Sequence, residues 1–217
     1  MNRFVCRAIL FDLDGVLVDS AAYIEDQWRR WAAGKGLAAE PFLRVCHGRR
    51  ALETIRLAAP HLDADAEVAA FRPDASGNMP AIDPIEGAAR LLEALPAGRW
   101  AVATSGSRAD ATDRLRRAGL PSPRVLVCAE DVARGKPDPD VYLSAAAALG
   151  VSPSDCVVIE DAPAGVRAAR AAGMAVVALT TTHSQEDLLA DAWAPSLAPI
   201  KIRRVDQGRL ELLVGES

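Results

Sequence analysis

Short apolar runs alternate along the chain with longer segments rich in Ala, Leu and Arg. The strand-like runs are Ala8–Leu10, Trp100–Ala103, Arg124–Cys128, Cys156–Ile159 and Ala175–Leu179. Continuous apolar runs suit strands covered on both faces, as in a parallel sheet. Between them, Glu86–Leu95, Arg108–Ala118, Asp140–Leu149 and Ala164–Ala172 have helix-forming composition. Gly98, Gly119-Leu120-Pro121, Gly150 and Gly173 punctuate the joins. Strand and helix in alternation require crossover connections, which are right-handed, so the predicted fold is α/β with a doubly wound parallel sheet.

Two stretches depart from that alternation. From about Ser20 to Pro80 there is no good strand, and Tyr23, Ile24, Trp28, Trp31 and Ala32 recur at helical spacing, followed by Leu52, Ile55 and Leu57. This predicts a small helical insert after the first strand, residues 20–80, closed by the turn-forming Arg72–Pro80 and splitting a core of 1–19 and 81–217. An insert at that point sits above the strand ends, where it can act as a lid. Trp28 and Trp31 read as its apolar core, and His61 as a turn residue. At the other end, Ile200–Val205 and Arg209–Val214 alternate in polarity around Asp206-Gln207-Gly208, which predicts a C-terminal β-hairpin extending an edge of the sheet.

Composition narrows the partners. The 217 residues are 50% hydrophobic and 25% charged, with a net charge of −4, so no basic surface for nucleic acid or anionic membrane is offered. No apolar stretch approaches the roughly 20 residues that span a bilayer. Met1–Arg7 leads into the first strand without a secretory pattern, so a cytoplasmic location is expected. Of the four cysteines, Cys6, Cys128 and Cys156 lie in or beside apolar runs, and none has the spacing of a metal knuckle, so buried free thiols are expected.

The chemistry concentrates at strand ends. Asp12 and Asp14 follow the first run directly and precede Gly15. That places two carboxylates at the carboxyl edge of the sheet, where open α/β folds bind ligands. Like charges held together require a cation or a proton, so the pair implies a metal, an acid/base couple, or both. Three further segments stand at or beside other strand ends: Thr104-Ser105-Gly106-Ser107, Gly135-Lys136-Pro137-Asp138-Pro139 and Glu160-Asp161-Ala162-Pro163-Ala164-Gly165.

In this order the four segments resemble the motifs of the haloacid dehalogenase-like phosphohydrolases, which have a Rossmann-like core. The resemblance implies Asp12 as the nucleophile, Asp14 as acid and then base, and Lys136 as the cation that neutralises Asp12 and the phosphoryl group. It implies Mg²⁺ held by Asp12, the Asp14 backbone carbonyl and Asp161, with Glu160 on a metal-bound water or as a further acidic ligand. Thr104 and Ser105 would offer a hydroxyl and N–H groups to phosphate, Thr104 being the preferred motif hydroxyl, while Gly15 and Gly106 allow close backbone approach. Dehalogenases proper lack the second aspartate, so Asp14 favours phosphoryl chemistry. Trp100–Arg108, together with Thr180-Thr181-Thr182-His183, is similar to the glycerol-phosphate, 2-deoxyglucose-6-phosphate and hexose-phosphate phosphatases. Within the insert, His47-Gly48-Arg49-Arg50 resembles a cap loop of that group, with Arg49 the expected substrate contact. His183 is expected at the site rim. The expectation is a Mg²⁺-dependent phosphatase of a small-molecule phosphorylated metabolite, a sugar or polyol phosphate, working as a monomer or weak homodimer. A β-phosphoglucomutase-type phosphotransferase is the alternative.

Overall fold

The computed structural model describes residues 2–70, 82–205 and 208–215. Its centre is a six-stranded sheet built from β2 (Ala8–Phe11), β5 (Trp100–Ala103), β6 (Leu126–Val127), β7 (Cys156–Glu160), β8 (Ala175–Leu179) and β9 (Ala192–Ala194). The order is β6-β5-β2-β7-β8-β9 and every pairing is parallel. The chain starts in the middle, runs to one edge, returns past its origin and finishes at the other edge. That reversal on either side of β2 is the doubly wound arrangement, and it brings the end of β2 to the switch point.

Helices cover both faces. One apolar layer joins Ile9, Phe11, Val102, Val157 and Ile159 of the strands to Leu91 and Leu92 of α5 (Ala88–Ala94) and to Ala111 and Leu115 of α6 (Arg108–Arg117). The other joins Leu10, Ala101, Val158 and Val176 to Val141 and Tyr142 of α7 (Asp140–Leu149) and to Val166 and Ala169 of α8 (Pro163–Ala171). Alternate residues of each strand supply opposite layers, as strand geometry requires.

The insert is helical as expected. It contains α1 (Ala21–Gly34), α2 (Glu40–Leu43), α3 (Ala51–Ala58) and α4 (Ala64–Ala70). These helices bury a cluster of their own that includes Trp28, Ala32, Phe42, Ile55 and Ala64. Trp28 stacks on Phe42 with ring centroids 5.5 Å apart, and Trp31 meets Phe42 edge-on at 5.1 Å. A short antiparallel pair, β3 (Val18–Asp19) with β4 (Asp83–Pro84), ties the chain entering the insert to the chain leaving it. The expected closing segment Arg72–Pro80 lies outside the described residues.

The hairpin forms with the expected strand bounds, β10 (Ile200–Val205) and β11 (Arg209–Val214), but it does not extend the main sheet. It joins β1 (Asn2–Cys6) in a separate three-stranded antiparallel sheet of order β1-β11-β10. Leu210, Leu212 and Val214 face inward to the layer holding α5, and Ile200 joins them there. The Asp206-Gln207 turn lies outside the described residues. All four cysteines are free and buried. Among the described residues, no helix is long and apolar enough to cross a membrane.

Candidate active site

The strand ends converge as the sheet order demands. Asp12 follows β2, and its backbone N–H still bonds Ile159 O at 3.0 Å, so the residue is fixed by the sheet. Thr104 follows β5 and is held likewise by Val127 O at 2.9 Å. Glu160 ends β7, Asp161 follows it, and Lys136 lies in the loop between β6 and α7. Asp12, Thr104, Lys136, Glu160 and Asp161 are all buried polar groups.

Lys136 is the hub. Its Nζ lies 2.6 Å from Asp12 Oδ1 and 2.8 Å from Glu160 Oε1, with no exposed surface of its own. Glu160 is saturated: Oε1 also accepts from Tyr142 Oη at 3.0 Å, while Oε2 accepts the backbone N–H groups of Asp161 and Ala162, each at 2.7 Å. Its carboxylate thus braces Lys136 on one side and the Asp161 backbone on the other. Gly165 makes room for it, since a Cβ there would stand 1.5 Å from Glu160 Oε1.

Burial governs the charges. It pushes the Asp12 carboxyl up to about 7; Lys136 pulls the other way, while Glu160 and Asp14 add to the rise. Burial raises Asp161 well above the carboxylate range, and Glu160 and Asp12 push it further. For Lys136, burial favours the neutral amine, but Asp12 and Glu160 outweigh it and hold the ammonium charged. Three acids gathered around one lysine must either hold protons or take up further positive charge.

The residues present fit that need. Asp12, Glu160 and Asp161 each place a carboxylate oxygen within 4.8 Å of the others. Asp161 Oδ1 is buried without a hydrogen-bond partner, while Oδ2 accepts from Thr182 Oγ1 at 2.5 Å. A cluster of hard oxygen donors with one orphaned lone-pair site is the donor set of a hard divalent cation. Gly15 keeps that corner open: its φ is +78°, and a Cβ would come within 2.2 Å of Asp161 Oδ2.

Asp14 stands apart from this cluster. Its Oδ1 accepts from Ser20 Oγ at 2.6 Å, and both its oxygens lie 2.7 Å from Arg114 Nη1. Thr104 and Ser105 do different things. Thr104 Oγ1 accepts from Gly106 N at 3.0 Å and shapes the loop, whereas Ser105 Oγ donates to Gly48 O of the insert at 2.9 Å. Gly106 has ordinary negative φ, so its value lies in space beside Thr104 Oγ1, 3.4 Å from where a Cβ would stand.

A cleft of about 520 Å³ separates insert from core above these residues. Asp12, Asp14, Thr104, Ser105, Gly106 and Arg114 line its floor side, and Ile24, Gln27, Trp28, His47, Arg49 and Leu52 belong to its insert side. Arg49 also lines it, half-buried, with Nη1 donating to Val45 O at 3.0 Å and Nε without a partner. Burial lowers its pKa, and Arg167 adds to that. Arg50 instead fastens the insert down: it pairs with Glu53 and donates to Ala129 O, Val132 O and Ala133 O of the core. Gly48 passes so close to the core that a Cβ would meet Ala162 Cβ at 2.7 Å. His47 lines the cleft and reaches Glu25 at 3.4 Å, and its ring stands edge-on to His183 at 6.0 Å between centroids.

The haloacid dehalogenase-like hydrolase profile matches residues 6–173, which includes every buried acid described above and Lys136. The chain belongs to the haloacid dehalogenase-like hydrolases. Hexitol phosphatase A of Escherichia coli is 46% identical to this hydrolase over 179 residues, 80% of this chain and 83% of the relative. Glycerol-1-phosphate phosphohydrolase 2 of Saccharomyces cerevisiae is 36% identical over 200 residues, 84% of this chain and 78% of the relative. CbbY from Rhodobacter sphaeroides, solved in complex with phosphate, superposes with a TM-score of 0.76 at 28% identity, covering 89% of this chain and 95% of that one.

Sequence reasoning gave no role to four residues that touch this hydrolase's site. Tyr142 looks like one more apolar helix position in Val141-Tyr142-Leu143. Ser20 marked only the start of the insert, and Thr182 entered only as part of the Thr180–His183 segment, without a role of its own. Arg114 sits in Asp113-Arg114-Leu115-Arg116-Arg117, where nothing separates it from solvent-facing neighbours.

Proposed function

We propose that this hydrolase is a Mg²⁺-dependent phosphatase of small sugar or polyol phosphates, acting through an aspartyl-phosphate on Asp12. The observation that carries the reading is the buried Asp12 carboxylate, 2.6 Å from the Lys136 ammonium and beside the Asp161–Glu160 acidic pair. A phosphate monoester is anionic and repels an anionic nucleophile, so catalysis needs positive charge held in place before reaction. Lys136 supplies one such charge. Asp12, Asp161 and the Asp14 backbone carbonyl are the groups that would hold Mg²⁺, and the bound ion would neutralise phosphate and nucleophile together.

In this reading an Asp12 oxygen attacks phosphorus as the bond to the substrate oxygen breaks, and Asp14 gives that oxygen its proton. Asp14 then takes a proton from water, whose oxygen bonds phosphorus as the Asp12 ester breaks. Thr104 and the N–H group of Ser105 orient the phosphoryl oxygens, with the Gly106 N–H holding Thr104 Oγ1 in place. Glu160 does not bind directly to the reacting groups; with its lone pairs engaged by Lys136, Tyr142 and two backbone N–H groups, it positions Lys136 and Asp161. Residues 20–80 serve as the cap that excludes water, and Arg49 meets the hydroxyl-bearing part of the substrate.

The support for the substrate class is the similarity to a hexitol phosphatase and a glycerol-1-phosphate phosphohydrolase, with a cleft large enough for a six-carbon chain. The test is phosphate release with and without Mg²⁺ from hexitol phosphates, glycerol 1-phosphate, 2-deoxyglucose 6-phosphate and β-glucose 1-phosphate, with Asp12→Asn as the blank. Metal-dependent release from one of these is expected. Conversion of β-glucose 1-phosphate to glucose 6-phosphate without release would replace this reading with a mutase.

A further inference from the structure

Each aspartate of the Asp12-Leu13-Asp14 pair has its own buried cation. Lys136 serves Asp12, and Arg114 of α6 serves Asp14. Arg114 is 7% exposed, and its Nη1 lies 2.7 Å from both oxygens of Asp14. One N–H group centred on two oxygens fixes the carboxylate in rotation as well as position. Burying a guanidinium is costly without such a partner, and with Arg114 Nε lacking a hydrogen bond, the contact of Nη1 with Asp14 is what offsets that cost.

Ser20 points the same way. It occupies the N-cap position of α1, where a serine hydroxyl ordinarily accepts a helix N–H. Here it makes no cap bond and donates to Asp14 Oδ1 at 2.6 Å instead. Tyr23, one turn on, lies over the Arg114 guanidinium at 5.7 Å from ring centroid. Two elements, the first helix of the insert and α6 of the core, thus converge on one carboxylate at the wall of the cleft.

We infer that Arg114 is a positioning residue for the reaction, holding the Asp14 carboxylate in the orientation from which it exchanges protons with substrate and water. This rests on the phosphatase reading, since Asp14 handles protons only within it. Arg114 acts through Asp14, so its loss matters only while Asp14 is present.

A double-mutant cycle decides this. Arg114→Met, Asp14→Asn and the double variant are assayed for Mg²⁺-dependent phosphate release from a hexitol phosphate or glycerol 1-phosphate, whichever the parent turns over faster. A positioned acid/base group contributes about 10²- to 10⁴-fold, so Arg114→Met is expected to lower kcat by about 10²-fold with KM within about threefold. In the Asp14→Asn background the same change is expected to cost less than about threefold. Arg114→Lys, which keeps one charge but not the planar fork, is expected to recover part of kcat. If Arg114→Met does not fold, Arg114→Lys takes its place in the cycle. If Asp14→Asn turnover falls below detection, Asp14→Glu replaces it. Equal losses in both backgrounds, or a loss carried by KM, would overturn the assignment. Asp12→Asn assayed alongside separates the two ideas: activity in that variant fails the aspartyl-phosphate reading, whereas the Arg114 assignment fails on the cycle.

Discussion

Lys136→Met removes the cation that two buried carboxylates share. Methionine fills much of the volume of the lysine stem but carries no charge. Asp12 and Glu160 would each lose a partner, at 2.6 and 2.8 Å, in a site without solvent. Removing one member of a buried ion pair costs about 3–5 kcal/mol, because the partner is left charged and unpaired. With a urea dependence of about 3 kcal/mol per molar for a chain of this size, the unfolding midpoint is expected to fall by about 1–1.7 M. The assay is urea unfolding of the metal-free protein, followed by tryptophan fluorescence. The sign of its pH dependence follows from the same groups. Asp12 already titrates near 7 beside Lys136, and without the lysine it holds its proton to higher pH still. The native variant then binds protons that the unfolded chain has lost, so its stability falls as pH rises. The destabilisation relative to the parent must be larger at pH 8 than at pH 5. Tyr142→Phe calibrates the scale: it removes one hydrogen bond to Glu160 and is expected to cost about 1–3 kcal/mol. A Lys136→Met midpoint within about 0.3 M of the parent at pH 8 would refute the reasoning.

Other expectations follow from the same geometry. Gly165→Ala drives a methyl to within 1.5 Å of Glu160 Oε1, so Glu160 must move and Lys136 and Asp161 with it; a loss of about 1–3 kcal/mol in unfolding free energy is expected, with phosphate release falling at least tenfold. Gly15→Ala combines left-handed backbone at φ +78° with a Cβ 2.2 Å from Asp161 Oδ2; titration calorimetry should show weakened Mg²⁺ binding, and unchanged affinity would remove Asp161 from the metal set. Because Asp12 titrates at about 7 in the folded protein against the model-peptide range near 4, the native state holds a proton between those values that the unfolded chain does not. Its stabilising contribution is therefore complete below pH 4 and lost as pH rises to about 7. Melting of the metal-free parent should decline across that window relative to Asp12→Asn, and parallel curves would contradict the burial of Asp12. Gly48→Ala puts a side chain on left-handed backbone at φ +73° and sets a methyl 2.7 Å from Ala162 Cβ at the contact between insert and core; a lower melting temperature together with a rise in KM is expected, and an unchanged KM would detach this loop from substrate access.

What could be read before the structure was known divides along physical lines. The central strands were legible because burial on both faces leaves an uninterrupted apolar run, as in Cys156–Ile159. Of Arg124–Cys128 only Leu126–Val127 forms a strand, paired with Val102 and Ala103 of β5. The hairpin was legible from its alternation, but its place was not. Asn2–Cys6 reads as the lead-in to the first strand, and only tertiary pairing with β11 makes it a strand of its own and draws the hairpin away from the main sheet. Asp12 and Asp14 stood out because two acids at a strand end break the apolar pattern, whereas Lys136, Glu160 and Asp161 stood out only together with them, through the resemblance of the four segments to the family's motifs. Arg114 did not, because a buried arginine in an arginine-rich helix has no sequence signal, and its partner Asp14 is a hundred residues away. Glu160 was legible as a site residue, but not that its lone pairs are taken up by Lys136, Tyr142 and backbone N–H groups, which is a property of three-dimensional packing.

The central claim is that Asp12 carries the phosphoryl group. Rapid quenching during the first turnover, followed by borohydride reduction and peptide mass spectrometry, tests it most directly, because an acyl phosphate is reduced to an alcohol while a free carboxylate is not. The account predicts homoserine at position 12, formed only with substrate present and absent from Asp12→Asn. Reduction at another residue, or full turnover with position 12 always recovered as aspartate, would contradict it.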